Sequence, residues 1–176
     1  MNRRLIAGLG NPGPRYSLTR HNAGFFAADR LIHLFGAADT ATVENSPLVR
    51  LADRPDLYVL KPMSYMNLSG GPVAAALIRL SLTADDLLVI HDDIDLSLGD
   101  VRYKEGGGHG GHNGLKSLFD RLETAAFSRV RIGVGRPSDP SETVVDYVLG
   151  SFTAAEAPVV DTAVTAALSL VRRWAA

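Results

Sequence analysis

The residues best suited to chemistry are a histidine, a carboxylate and several asparagines, each at a turn of the chain. They are His21, Asp92 beside Asp93, and Asn11, Asn67 and Asn113. A histidine titrates near neutral pH, so its neutral ring can take a proton from water. A carboxylate on the other ring nitrogen fixes the tautomer and stabilises the imidazolium. Side-chain amides can hold a peptide backbone and donate to a developing oxyanion without altering the histidine's charge. The combination suits hydrolysis by activated water, with no cofactor.

Competing chemistries fit less well. Gly8-Leu9-Gly10-Asn11-Pro12-Gly13 satisfies G-x-G-x-x-G, the dinucleotide-binding fingerprint. That fingerprint needs a helix after the third glycine, with its N-terminus on the pyrophosphate. Pro12 and Pro14 predict a chain that stays extended there instead. The acidic residue required about 20 residues later, at the end of a second strand, is missing, because FFAADRLIHLFG reads as helix with Asp29 in its middle. The glycine run before Leu115 lacks the G-K-[ST] of a phosphate loop, and no G-x-S-x-G elbow exists. His91, Asp92, His109 and His112 are metal-ligand types. H-G-G-H, however, is not a helical i,i+4 pair, and flexible glycines would hold ligands poorly. No metal is expected.

These residues need a scaffold that brings turns together, and the hydrophobic pattern supplies one. Strands are predicted at RRLIAGL, DLYVLKP, DLLVIHDD and SRVRIGVG, with weaker ones at PLVRLAD and GDVRYKE. The last alternates Val101 and Tyr103 with Arg102 and Lys104, so one face should be wet. Helices are predicted over Ala23 to Phe35, Leu68 to Leu82, Asn113 to Glu123, and a C-terminal stretch ending near Trp174. In that last stretch Val160, Val164, Leu168 and Val171 form one stripe, and Thr153 with Glu156 has capping-box spacing. Pro158 should delay the regular helix. Asn67 has the residue type of a helix cap. The segment Pro137 to Gly150 reads as a mobile loop with a short helical piece. The alternation implies an α/β fold with helices on both faces of one sheet. Asn11 and Asp92 then lie at strand carboxyl ends, where such sheets build their sites.

Bulk properties narrow the setting. With 176 residues, 46% of them hydrophobic and 21% charged, the chain should form one domain over residues 1–176 rather than a disordered segment. A formal charge of −1 excludes a generally basic nucleic-acid coat but not a local basic face. Such a face is suggested by Arg102, Lys104, Lys116, Arg121, Arg129, Arg131 and Arg136. The sequence has no cysteine, which excludes disulfides, thiolate sites and cysteine nucleophiles. With no signal-like start and no long apolar run, a cytoplasmic protein without membrane contact is expected.

Taken in order, GLGNPG…Y…T-R-H-N-x-G, K-P-x-x-Y-M-N-x-S-G, HDD-x-D, GGGHGGHNGLKS and RVRIGVGRP resemble the bacterial peptidyl-tRNA hydrolase family. The resemblance runs from Arg4 to about Gly150; the C-terminal helix matches in pattern only. It implies a single twisted mixed β-sheet flanked by helices, of the phosphorylase/hydrolase-like kind, acting as a monomer without cofactor or metal. It implies cleavage of the ester joining a peptide to the 3′-ribose of tRNA, which recycles tRNA from peptides released early from the ribosome. By motif position His21 would be the general base and Asp92 its partner. Asn11, Asn67 and Asn113 would bind the peptide and terminal adenosine and stabilise the tetrahedral intermediate. Tyr16 and Met66 would line the cleft, with His112 beside it. Lys104 and Arg131 would hold the tRNA 5′-phosphate, and residues 138–150 would form a lid. A second reading is a non-catalytic RNA-binding relative acting in RNA processing.

Overall fold

The computed structural model describes residues 2–176. Its first strand, β1 (Arg4–Gly8), is a fully apolar run after Arg4 and is buried on both faces, as expected of a central parallel strand. The following elements are α1 (Ala23–Phe35), β2 (Ala37–Val43), β3 (Ser46–Leu51), β4 (Leu57–Leu60) and α2 (Gly70–Leu80). Then come β5 (Leu87–Asp93), β6 (Val101–Glu105), α3 (Asn113–Leu122), β7 (Ser128–Gly133), α4 (Val144–Val148) and α5 (Ala157–Trp174). The strands form a seven-stranded sheet in the order β2-β3-β4-β1-β5-β7-β6. The four central strands run parallel, while β2, β3 and β6 pair antiparallel at the edges. This is the mixed α/β sheet that the sequence implies.

Strand alternation divides the core between two faces. Ile6, Val59, Leu88, Ile90, Val130 and Ile132 pack under α1 and α5. Leu5, Ala7, Leu60, Leu87 and Val89 pack under α2 and α3. The stripe Val160, Val164, Leu168 and Val171 is buried as its spacing requires. Thr153 and Glu156 exchange both capping-box hydrogen bonds, and α5 starts after them with Pro158 in its first turn, where proline is tolerated.

Several expectations need correction. The chain does not stay extended after Gly13, because Pro14–Tyr16 closes a 3₁₀ turn that proline's fixed φ favours. The second predicted helix starts late: Met66–Leu68 is a separate 3₁₀ turn and α2 opens at Gly70. Its N-cap position is Ser69, so Asn67 caps nothing. Strand β6 is an edge strand with Arg102, Tyr103, Lys104 and Glu105 all exposed, wetter than one wet face. The sequence reading contained no strand at β2.

In the sheet order the chain leaves β1 toward β2 on one side and leaves β5 toward β6 on the other, so the connections diverge between β1 and β5. Such a switch point opens a crevice. Close contact fixes what stands over it. A Cβ on Gly24 would meet Ile90 O at 2.3 Å and Leu9 N at 2.5 Å, so only glycine lets α1 lie directly on the backbones of β1 and β5. The 3₁₀ turn Arg20–Asn22, just before α1, is thereby held over the end of β5.

Candidate active site

Asp92, near the end of β5, is 2% exposed and has both carboxylate oxygens engaged. Oδ2 lies 2.8 Å from His21 Nδ1, and Oδ1 lies 2.8 Å from His112 Nε2. His112 is the N-cap of α3, where its Nδ1 accepts from the Gly114 and Leu115 amides at 3.1 and 3.3 Å. Because Nδ1 is an acceptor, this hydrogen-bond network assigns the ring proton to Nε2, which donates it to Asp92. His21 is assigned the complementary arrangement. Its Nδ1–H donates to Asp92, and Nε2 keeps a lone pair with no partner among the described residues.

Charge follows from this geometry. Burial alone would depress the His21 pKa, but the Asp92 charge and hydrogen bond outweigh it and raise it above the ordinary value. Burial likewise opposes ionisation of Asp92, yet the two histidines hold its pKa far below the carboxylate range. His91 is different. Its Nδ1–H donates to the Asp92 carbonyl at 2.8 Å, and burial beside His112 pushes its pKa well down. It therefore stands next to the pair as a neutral ring.

The asparagine on the other flank is held just as closely. Asn22, buried beside His21, grips the Asn11 backbone with both ends of its amide: Oδ1 accepts from Asn11 N at 2.8 Å, and Nδ2 donates to Asn11 O at 3.0 Å. Asn11 Oδ1 in turn accepts from Met66 N at 2.7 Å. That bond leaves Asn11 Nδ2 as the free end, a donor with fixed direction. Tyr16 meets Tyr65 edge-on, with ring centroids 6.4 Å apart, on the rim formed by the two 3₁₀ turns. Asn67 is exposed in the Met66–Leu68 turn.

A cleft of about 570 Å³ opens from the His21–Asp92–His112 group. Asn113, Lys104 and Arg131 line it, as do Arg129, Arg136 and the α4 residues Val144 and Val145. Arg131 Nε lies 2.8 Å from Asp93, whose pKa this bond lowers against the opposing effect of burial. Of the residues singled out from sequence, His21, Asp92, Asn113, Lys104 and Arg131 thus border one cleft. Asn11 and Met66 are bonded to each other, and Asn11 is tied to the turn that carries His21. The segment before Gly150 is fastened beside the site, since Arg20 Nη1 donates to Tyr147 O and Arg20 N to Gly150 O.

Sequence reasoning missed the grip of Asn22 on Asn11 and left His112 without a definite task. Asn22 stood inside T-R-H-N, and His112 immediately before a helix, which is a cap position. Those were the available signals. The expected metal-ligand types do not assemble as a set: His109 turns to Gly111 N and packs on Phe119. His21, Asp92 and His112 do bring ligand atoms within 4.8 Å of one another. Their contacts are hydrogen bonds, and a cation at about 2.0–2.1 Å from the same nitrogens would have to displace both protons.

Comparison with known proteins agrees with this architecture. The family model for peptidyl-tRNA hydrolase matches residues 5–176, so the match includes the C-terminal helix. The peptidyl-tRNA hydrolase of Geobacter sp. (strain M21) is 47% identical over 176 residues, covering 96% of this chain and 92% of that protein. The one from Geobacter sulfurreducens is 52% identical over 151 residues, covering 85% of this chain and 77% of that protein. The crystal structure of peptidyl-tRNA hydrolase from Acinetobacter baumannii superposes with a TM-score of 0.81 at 36% identity, covering 97% of this chain and 87% of that one. A point mutant of the enzyme from the same organism gives 0.86 at 38% identity, covering 96% and 86%. With its fold and nearly its whole length in common with these proteins, the chain belongs to the peptidyl-tRNA hydrolase family.

Proposed function

We propose that this protein hydrolyses the ester between a peptide, or an N-blocked amino acid, and the 3′-ribose of tRNA, with His21 as general base. The observation that carries the reading is the 2.8 Å contact of His21 Nδ1 with Asp92, which leaves Nε2 available to water. His21 Nε2 takes a proton as the water oxygen attacks the acyl carbon. The resulting oxyanion accepts from Asn11 Nδ2, a donor already aimed by Asn22 and Met66. Collapse breaks the bond to the 3′-oxygen, and the His21 imidazolium returns its proton to that oxygen. An ester has a better leaving group than an amide, so one base with fixed donors can suffice. General-base help supplies roughly 10²–10⁴ in rate and an oxyanion donor about another 10²–10³.

In the same reading Asn67 and Asn113, exposed on either side, contact the peptide and the terminal adenosine, while Tyr16 and Met66 bound the peptide side. Lys104 and Arg131 meet tRNA phosphate, and residues 138–150 close as a lid. Hydrogen exchange with and without substrate tests that closure: unchanged protection would remove it. The enzyme acts as a cytoplasmic monomer without cofactor. No helix among the described residues is long and apolar enough to cross a membrane.

Release of tRNA from N-acetyl-aminoacyl-tRNA is the direct test. Turnover supports hydrolysis, and binding without release would favour the RNA-binding alternative.

A further inference from the structure

Arg20 directly precedes His21, yet its side chain turns to α4 and the start of α5. Nη1 donates to Tyr147 O at 3.2 Å. Nη2 donates to Glu156 Oε1 at 3.0 Å, the same oxygen that accepts Thr153 N in the capping box. The guanidinium carbon stands 4.3 Å from the centre of the Tyr147 ring and 5.7 Å from that of Phe152. The backbones are joined here as well. Thr19 and Ser151 form an antiparallel bridge, flanked by Arg20 N on Gly150 O at 3.0 Å and Phe152 N on Leu18 O at 3.1 Å. A Cβ on Gly150 would stand 2.9 Å from Arg20 Nη1, so glycine lets the guanidinium lie against this backbone. Tyr147 is tied at its other end too, its hydroxyl donating to Val134 O at 2.6 Å.

These ties fix one wall of the cleft. Val144 and Val145 of α4 line it, 39% and 56% exposed, an uncovered apolar surface of the kind a ligand covers. With five residues, α4 is too short to hold itself as a helix, so its place depends on its tethers. The carbonyl and the ring of Tyr147 both converge on Arg20. Stability accounts poorly for that choice of residue. A buried ion pair stabilises little compared with an apolar side chain of similar volume, and the buried Arg20 Nε–H has no acceptor among the described residues. A planar fork that reaches Tyr147 O and Glu156 together while stacking on a ring is what arginine offers and lysine does not.

We infer that Arg20 is a positioning residue whose guanidinium sets the α4 wall at a fixed place relative to His21, so that Val144 and Val145 meet the substrate without first being ordered. The inference rests on the hydrolytic reading given above. It adds that the carboxyl end of the segment read there as a lid is its anchored end.

Arg20→Met keeps an apolar stem between Tyr147 and Phe152 but makes neither bond, and Arg20→Lys keeps the charge for Glu156 but loses the fork. In both, KM for N-acetyl-aminoacyl-tRNA should rise about two- to tenfold, the cost of ordering a side chain on binding, while kcat changes less. In the free enzyme the amides of Tyr147, Leu149 and Gly150, which bond within and just after α4, should exchange faster than in the wild type, with those of α1 unchanged. Arg20→Lys decides the matter if Arg20→Met does not fold. Wild-type exchange at α4 in the folded variants overturns the inference, because the wall then holds without the fork. Faster exchange with wild-type KM, or a fall in kcat alone, overturns it too. A wild type that releases no tRNA defeats the hydrolytic reading by itself, and the exchange comparison still decides the tether.

Discussion

Asp92 accepts from two histidines at once, with His21 Nδ1 on one oxygen and His112 Nε2 on the other, each at 2.8 Å. The carboxylate is thereby fixed from both sides, and His21 can hold only one useful tautomer. Replacement of Asp92 by asparagine leaves one acceptor for two N–H donors. Asp92→Asn is expected to lower kcat, though by less than removal of the His21 ring if the carboxylate only orients that ring.

The same substitution should move the pH profile in a defined direction. Asp92 raises the His21 pKa above 6.5, and His21 works only when unprotonated, so the acid limb of kcat/KM should lie above 6.5. In Asp92→Asn only the effect of burial remains, and the limb should shift below 6.5. Stability has its own signature. The raised His21 pKa contributes stability that is full below 6.5 and fades as pH rises through the folded value. The lowered Asp92 pKa contributes stability that is present above 3.8 and lost as pH falls below it. The Tm difference between wild type and Asp92→Asn should therefore be widest between those values and narrow on the alkaline side. A limb that stays in place would separate Asp92 from the base.

His112 has two separable tasks, capping α3 and bonding Asp92. His112→Ala loses both. Losing a cap costs about 1 kcal/mol, which for a protein of this size lowers Tm by roughly 2–4 °C. His112→Asn can cap but is too short to replace the ring on Asp92. With its second donor gone, Asp92 should hold the His21 proton more strongly. The acid limb in His112→Asn should then rise above that of the wild type, with most of the Tm restored. Thermal melts and pH–rate profiles on the two variants check this; identical limbs in wild type and His112→Asn would contradict it.

Asn11 accepts from Met66 N through Oδ1 and offers Nδ2 outward. Asn11→Asp keeps the acceptor and loses the donor. It should fold nearly as well as the wild type while kcat falls about 10²–10³, the range for one oxyanion donor. Asn22→Ala removes both bonds to the Asn11 backbone from a buried site, costing about 1–3 kcal/mol. Urea titration together with steady-state kinetics distinguishes these outcomes, and full kcat in Asn11→Asp would assign the donor elsewhere.

Gly24 carries the placement of the whole turn. An alanine Cβ would overlap the Ile90 carbonyl and the Leu9 amide, which are backbone atoms that cannot swing aside. Gly24→Ala is expected to lose Tm and activity together, because the helix that sets His21 over Asp92 must lift away. A thermal melt that matches the wild type would show that α1 can shift without cost.

The central strands were legible because parallel strands covered on both faces leave continuous apolar runs, as in LLVI of β5. Helix α1 was legible to its end residues. Strand β2 was not: AADTATV is exposed along most of its length and is held at the sheet edge by its pairing with β3, so no apolar pattern marks it. The turn at Met66–Leu68 was hidden inside a longer helical pattern. For the site, residue type and chain position were enough to select His21, Asp92 and the asparagines. Which atoms meet was not readable, since His21 and Asp92 are 71 residues apart and Asn11 finds Met66 across 55. Arg129 was legible only as one cation of a basic face. One arginine among several looks alike in sequence, and only the fold shows which of them lacks a carboxylate.

Kinetics of tRNA release by His21→Ala bear most directly on the role of the ring. A fall in kcat of about 10²–10⁴, with KM for the tRNA substrate close to that of the wild type, is the result expected of a general base. A kcat equal to that of the wild type would contradict it and place the activation of water at another residue.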